Sequence, residues 1–275
     1  MSPEDVEAME LRLILQAIHA RYGYDFREYS PESIKRRMRV AQAQTGVAHL
    51  GELLHRILTE PEFFASILSC LTIKVTEMFR DPAFCLAFRN EVLPLLRTYP
   101  QLKFWHAGCA SGEEVYSMAI LLLEEGLHER SQIYGTDVDA AVIEQAKEGV
   151  YSSDQAAMFA SNYRQSGGKH DFDDYFTHAY ARVSVEKRLR ENVAFFQHDL
   201  GSDFAIGEMN VIFCRNVGLY FSEPLRERVH RLFLQGLCRG GFLCLGASES
   251  LPVLVRVNYE EYVRGHRIFR LRGEL

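Results

Sequence analysis

His106-Ala-Gly-Cys-Ala-Ser-Gly-Glu-Glu114 is the stretch whose reading decides the fold. Before it, Leu102 to Ala107 is apolar and aromatic, the pattern of a buried strand. After it, Val115, Met118, Ala119, Leu122 and Leu123 recur at helical spacing. Gln132-Ile-Tyr-Gly-Thr-Asp137 then reads as a second short strand that ends in an acid. Strand, glycine-containing turn, helix, strand and acid form the first half of a nucleotide-binding α/β unit. In such a unit the glycines admit close approach of a ligand and the acid holds a ribose diol. The turn lacks G-x-G-x-x-G, however. It also places Glu113 and Glu114 at the helix start, where a pyrophosphate would need bare N–H groups. A cofactor with a ribose and no phosphates fits better. S-adenosylmethionine is the candidate, because its positive sulfonium tolerates nearby acids. On the residues alone, Gly108 and Gly112 also read as simple turn glycines.

The chain of 275 residues is long enough for one large domain or two smaller ones. With 47% apolar and 25% charged residues it has an ordinary globular composition. A formal net charge of −6 argues against sequence-independent nucleic-acid binding, which needs a basic footprint. No run of about 18 apolar residues would span a membrane. The start, Met1-Ser-Pro-Glu-Asp5, is acidic and has no apolar signal core, which predicts a cytoplasmic protein. The six cysteines form no Cys-x-x-Cys pair and read as free thiols in a reducing compartment. None of the ten histidines shows metal-ligand spacing, so no metal is assigned.

Residues 4 to about 71 read as a bundle of about four helices. Val6, Met9, Leu13, Ile14, Ala17 and Ile18 make one apolar stripe. Ser30-Pro31 caps a second helix that runs to Gly46. Leu50, Leu53, Leu54, Ile57 and Leu58 mark a third helix, and Pro61 opens a fourth. Asp81-Pro82 starts another helix that reaches about Thr98. From residue 102 the strands predicted at 102–107, 132–137, 193–197, 209–214 and 241–247 alternate with helices, which predicts a parallel α/β sheet. The helices are predicted at 113–126, 139–148 and 223–237, and residues 259–271 read as a closing hairpin. Residues 151–192 are less regular, with 178–185 alternating like an exposed strand. The expected division is 1–80 and 81–275, with a small β-subdomain at about 172–196.

Asn210-Val-Ile-Phe-Cys-Arg-Asn-Val-Gly-Leu-Tyr-Phe221 resembles the "FCRNV-x-x-YF" signature of CheR-type chemotaxis receptor methyltransferases. Thr76-Glu-Met-Phe-Arg-Asp-Pro82 resembles the family's "T-x-F-F-R-D-P" segment. Ala110-Ser-Gly-Glu-Glu114 resembles its "S-T-G-E-E-P-Y-S" loop, and Gly135-Thr-Asp-Val-Asp139 its "A-T-D-I-D" strand end. Four motifs in order, with a helical N-terminal domain, make the resemblance cover essentially the whole chain. It implies a Rossmann-like S-adenosylmethionine-dependent methyltransferase sheet behind an all-helical receptor-docking domain. The implied activity is methyl transfer to glutamate carboxylates on cytoplasmic helices of chemoreceptors, by a monomer that releases S-adenosylhomocysteine. The implied cofactor contacts are Thr76, Arg80, Gly108, Glu114, Asp137, Asp199, Leu200, Arg215 and Asn216. Arg80 also reaches the acceptor, and Tyr220 lies near the transferring methyl. Three positions depart from the family. Lys74 stands for an asparagine, Val115 for a proline, and Gly218 for a bulky aliphatic.

A glutamate acceptor, with an ordinary pKa of roughly 4.3, is already ionised near neutrality, so no general base is needed. The enzyme must supply proximity, alignment and exclusion of water. Arg80 suits a carboxylate, because its guanidinium is a planar fork of donors. Tyr220 offers one more hydrogen bond. Blander readings exist for each. Arg80 with Asp81 also reads as a surface ion pair, Tyr220-Phe221 as core aromatics, and Asp137 as a helix cap. Cys214 beside Arg215 reads as packing. On the second helix, Lys35, Arg36 and Arg39 share one side, opposite Ile34, Met38 and Ala41. They read as a solvated face or, with the resemblance, as a dock for an acidic helix. The competing functions are a cofactor-binding module without turnover and a methyltransferase with another acceptor.

Overall fold

The computed structural model of the chain describes residues 2–72 and 76–273. Lys74 lies outside them. The N-terminal part is four helices, α1 (Pro3–Tyr22), α2 (Pro31–Thr45), α3 (Leu50–Thr59) and α4 (Pro61–Leu71). Local sequence sets their ends. The Ser2 hydroxyl accepts from the Asp5 amide in a reciprocal capping box, and Gly23 closes α1 in the left-handed conformation. Ser30 accepts from the Ser33 amide, Pro31 takes the first helical position, and Gly46 ends α2. Ile14, Ile18, Ile34, Met38, Leu53 and Ile57 are among the buried side chains of this bundle's own core.

One expected stripe is only half realised. Ile14 and Ile18 are fully buried, but Val6, Met9 and Leu13 are each about 40% exposed. The line of α1 that packs into the bundle core runs instead through Leu11, Ile14, Leu15 and Ile18, a different face of the helix from Val6, Met9 and Leu13.

The rest of the chain is built on a seven-stranded sheet. Its strands, with those of a smaller sheet, are β1 (Leu102–Ala107), β2 (Ser131–Asp137), β3 (Val150–Ser152), β4 (Phe176–Ala179) and β5 (Arg182–Val185), then β6 (Val193–Gln197), β7 (Met209–Cys214), β8 (Leu237–Leu245), β9 (Tyr259–Val263) and β10 (Ile268–Leu271). The large sheet runs β6-β2-β1-β7-β8-β10-β9. Its first five strands are parallel, and β10 pairs antiparallel with β8 and β9. From β1 the chain winds outward to β2 and β6, then returns to β7 on the other side. The order therefore reverses between β1 and β7, where open α/β sheets leave a crevice beyond their carboxyl ends.

Helices cover both faces: α5 (Pro82–Ala87), α6 (Leu93–Leu96), α7 (Glu113–Glu124), α8 (Ala140–Glu148), α9 (Ser153–Gln165), α10 (Lys187–Arg190), α11 (Glu223–Gly236) and α12 (Val253–Arg256). The single helix expected from 82 to 98 is instead α5, a wide π-type turn over Phe88–Val92, and α6. Pro94 has no N–H to return to the carbonyl one turn back, and the wide turn accommodates it. The expected exposed strand at 178–185 is a hairpin, β4 and β5, with Tyr180 at φ 54 in its turn. It forms a three-stranded sheet with β3, in the order β3-β5-β4. Val193–Gln197 belongs to the large sheet instead. Among the described residues, no helix is long and apolar enough to cross a membrane.

Candidate active site

A cavity of about 290 Å³ lies at the switch between β1 and β7. The loops that follow β1, β2, β6 and β7 form its wall, with a strip from the helical bundle and the Thr76–Arg80 segment. After β1, Gly108 takes φ 80, and a Cβ there would lie 2.5 Å from a Val217 methyl. Only glycine lets the two loops pass. After β2, the Asp137 carboxylate accepts from the amides of Ala110 and Asp139, both at 3.0 Å. Burial raises its pKa, and those amides work against the rise. The cap of α8 is Asp139, which accepts from the Ala141 amide. Asp137 is therefore free of the capping role. After β6, Asp199 accepts from the Gly201 amide at 2.8 Å, and Leu200 is buried beside it.

Buried charge organises one end of the cavity. Arg215 donates to Glu114 at 2.8 Å and to Asp81 at 2.6 Å, and Glu114 meets His106 Nδ1 at 2.9 Å. Burial alone would raise Glu114, but Arg215 and His106 override it and hold the carboxyl at about 2. Burial likewise opposes the Arg215 charge, and Glu114 leads the partners that raise its pKa nonetheless. Asp81 is thus engaged by Arg215. Phe79 and Asp81, the neighbours of Arg80, both take positive φ, 53° and 57°. Such conformations persist where surroundings over-determine them. Here the Phe79 amide donates to Ser117 Oγ at 2.8 Å, and the Met78 carbonyl accepts from Asn162.

All ten residues expected at the cofactor and the reacting centre line this one cavity, Tyr220 and Thr76 included. Tyr220 and Phe221 both line the cavity, and Phe221 is also buried, edge-on to Tyr29 at 5.2 Å. Cys214 is buried, and burial pushes its thiol up, so it packs. Lys35, Arg36 and Arg39 lie elsewhere, along a separate groove on the outside of α2. There Glu7 of α1 pairs with Lys35 at 2.5 Å and with Arg39 at 3.7 Å. Among the described residues, no group of three or more acids, histidines or cysteines has the arrangement of a metal site.

Sequence reasoning missed Arg37. It is 4% exposed, lines the cavity, and stacks its guanidinium 4.4 Å from the centre of the Tyr220 ring. Its Nε and one Nη are buried without hydrogen-bond partners. The signal was available, because residue 37 follows Ile34 by three and precedes Ala41 by four, on the inward side of α2. Tyr29, also in the wall, belongs with it. The bundle is tied on at this point, where the Ser30 amide donates to the Tyr220 carbonyl and the Ser222 amide to that of Glu28, both at 2.9 Å.

A mixed sheet of this order, with an acid ending its second strand and a turn after its first that lacks G-x-G-x-x-G, defines a Rossmann-like S-adenosylmethionine-dependent methyltransferase. The chain belongs to the CheR methyltransferase family: "CheR methyltransferase, SAM binding domain" matches residues 74–265 and "CheR methyltransferase, all-alpha domain" residues 9–72. It is 46% identical over 271 residues to the Cher3 protein of Pseudomonas putida, spanning 98% of this chain and 99% of that one. It is 28% identical over 231 residues to a chemotaxis protein methyltransferase of Listeria monocytogenes, spanning 83% and 85%. A solved S-adenosylmethionine-dependent methyltransferase from Geobacter sulfurreducens, in complex with S-adenosyl-L-homocysteine, aligns over 62% of this chain and 49% of its own. The identity there is 14% and the TM-score 0.33.

Proposed function

We propose that this methyltransferase esterifies glutamate side chains on the cytoplasmic helices of chemoreceptors, acting in the cytoplasm as a monomer. The observation that carries the reading is Arg37. A buried guanidinium with two unpaired N–H sites, stacked on Tyr220 and lining the same cavity as Arg80, is a place for a carboxylate.

The cavity's residues fit the cofactor. Asn216 Oδ1 is buried without a partner, an acceptor suited to an ammonium group. In this reading Glu114, held ionised, and Asn216 take the methionine ammonium, and Arg215 keeps Glu114 in place. Asp137 takes the ribose, Asp199 and Leu200 flank the adenine, and Gly108 and Thr76 border the sulfonium end. When bound, S-adenosylmethionine supplies an electrophilic methyl group. The chain's own part is alignment. Arg37 and Arg80 hold the acceptor carboxylate, Tyr220 donates to it, and the bundle excludes water from above. Residues 1–80 serve as the docking domain and 81–275 as the methyltransferase domain.

The test is incubation with labelled cofactor and receptor-rich membranes. Label released as methanol by mild base marks a carboxyl ester on the receptor. Base-stable label, or label on no receptor band, overturns the reading.

A further inference from the structure

Glu249 lies outside the cavity, on the turn after β8, and is 7% exposed. Its Oε2 accepts from the amide of Asn216 at 2.7 Å and from that of Gly246 at 2.6 Å. Its Oε1 completes no hydrogen bond of good geometry and lies against Gly218, where a Cβ would sit 3.3 Å from it. Burial raises the pKa of the carboxyl, and the amides of Asn216, Gly246, Gly218 and Val217 work against that rise. One side chain thus straddles the backbone that leads from β7 to Tyr220.

Two further features meet at this contact. Asn216 takes φ 62, a conformation a non-glycine residue keeps only under constraint. A Cβ on Gly246 would lie 2.7 Å from Glu249 Oε2 and 2.9 Å from the Asn216 nitrogen, so the crossing requires glycine. Behind the segment is a second cavity of about 40 Å³, lined by Gly218, Leu219, Arg226, His230 and Glu249 among others. Gly218 stands where the family signature carries a bulky aliphatic, so side-chain packing at 218 does not brace the segment. The carboxylate does.

We propose that Glu249 is a positioning residue of methyl transfer. It fixes residues 216–218 and thereby sets where Asn216 and the Tyr220 hydroxyl stand. It touches neither acceptor nor cofactor cavity and acts through those two residues. The proposal rests on the methyltransferase reading of the large cavity.

The experiment compares Glu249→Ala and Glu249→Gln with the wild-type full chain by hydrogen exchange and by kinetics. Without any ligand, the alanine variant should exchange its 216–222 amides at least about tenfold faster, with β7 and the helical bundle unchanged. Its kcat should fall on the order of 10²-fold, the scale of a misplaced reacting group, with the acceptor KM within about threefold. Glutamine keeps one oxygen for the Asn216 and Gly246 amides and should recover most of both losses. Unchanged exchange at 216–222 overturns the proposal. So does a uniform rise in exchange across the chain, which marks general destabilisation. Should the alanine variant not fold, Glu249→Met decides, since it keeps the side chain's length without an acceptor for the Asn216 and Gly246 amides, and exchange identical to wild type at 216–222 in it overturns the proposal. Wild-type protein that methylates no receptor sinks the functional reading, whereas an active wild type with a 216–222 segment indifferent to Glu249 sinks this one.

Discussion

The Arg37 guanidinium lies 4.4 Å from the centre of the Tyr220 ring, and the contact joins the helical bundle to the loop after β7. Face-on contact with an aromatic ring offsets part of the desolvation of a buried cation, by about 2 kcal/mol at most sites of this kind. It leaves Nε and one Nη without acceptors. A buried cation left incomplete in the free protein is a feature of sites that await an anion, and it makes the bundle a wall of the active site.

Arg37→Met should therefore separate function from stability. Methyl transfer to receptor should fall on the order of 10²- to 10³-fold, the loss expected for one preorganised charged contact. Cofactor affinity should stay within about threefold. Because methionine fills the space without an unpaired charge, unfolding free energy should be unchanged or higher by about 1 kcal/mol. Denaturant titration with turnover on the same samples checks this. A variant that is markedly less stable yet fully active would remove Arg37 from the site.

Arg80→Ala should cost transfer more than cofactor binding, by about 3 kcal/mol in the barrier. Tyr220→Phe should cost less, because the ring under Arg37 remains and only the hydroxyl goes. Tyr220→Leu removes the stacking surface as well and should fall between phenylalanine and Arg80→Ala. Single-turnover rates at saturating cofactor give the order. Wild-type turnover in Arg80→Ala contradicts its assigned role.

Much of this was legible in the sequence because it is encoded locally. The strands of the parallel part of the sheet are continuous apolar runs, so Gly108 and Asp137 follow from strand positions, whereas Asp199 and Arg215 are named only through the family resemblance. Arg37 was not legible by the same route. A charged residue is not expected on an inward face, yet its helical phase places it with Ile34 and Ala41. Helix α9 was also missed, although Ser152 and Gln155 form a reciprocal capping box and Ala156, Phe159 and Tyr163 make its buried line. Apolar spacing draws the stripe of α1 through Val6, Met9 and Leu13, although Leu11 and Leu15 are the apolar neighbours of Ile14 and Ile18 on the helix and pack against the bundle core.

Glu113 and Glu114 are adjacent, and their environments push them apart. Burial raises Glu113 from 4.5 to about 7, with its own backbone amide and Ser111 opposing only in part. Between pH 4.5 and about 7 the folded chain retains a proton the unfolded chain has lost, so stability falls as pH rises through that window. Glu114 acts with the opposite sign. Its contribution is present above 4.5 and lost as pH falls toward about 2. Glu113→Gln should abolish the first slope and raise stability at pH 8 by up to about 3 kcal/mol, while leaving it near wild type at pH 4. Urea titrations at pH 4, 6 and 8 decide. A wild-type chain whose stability is flat from pH 5 to pH 8 contradicts the raised Glu113.

The outer face of α2 makes the last prediction specific. Glu7 reaches Lys35 at 2.5 Å and Arg39 at 3.7 Å, so this carboxylate masks part of the basic face. Arg36 is exposed and, among the described residues, has no carboxylate within ion-pair reach, so its charge is the one most open to an acidic partner. If receptor helices dock here, reversing Lys35, Arg36 and Arg39 to Glu should slow receptor methylation and leave cofactor affinity intact. Arg36→Glu alone should cause the largest fall of the three single changes. Glu7→Gln should do the opposite and speed methylation at low salt, because it unmasks two cations. Steering of this kind acts on encounter and fades as the Debye length shrinks to about 10 Å at 0.1 M salt and below that at higher salt. The gain from Glu7→Gln should therefore vanish by about 0.5 M salt, where wild type and charge-reversed protein converge. Initial rates on receptor membranes across that range are the measurement. Rates indifferent both to reversal and to Glu7→Gln would make this face merely solvated and move docking elsewhere, with the free edge of the β3-β5-β4 sheet next to be tested.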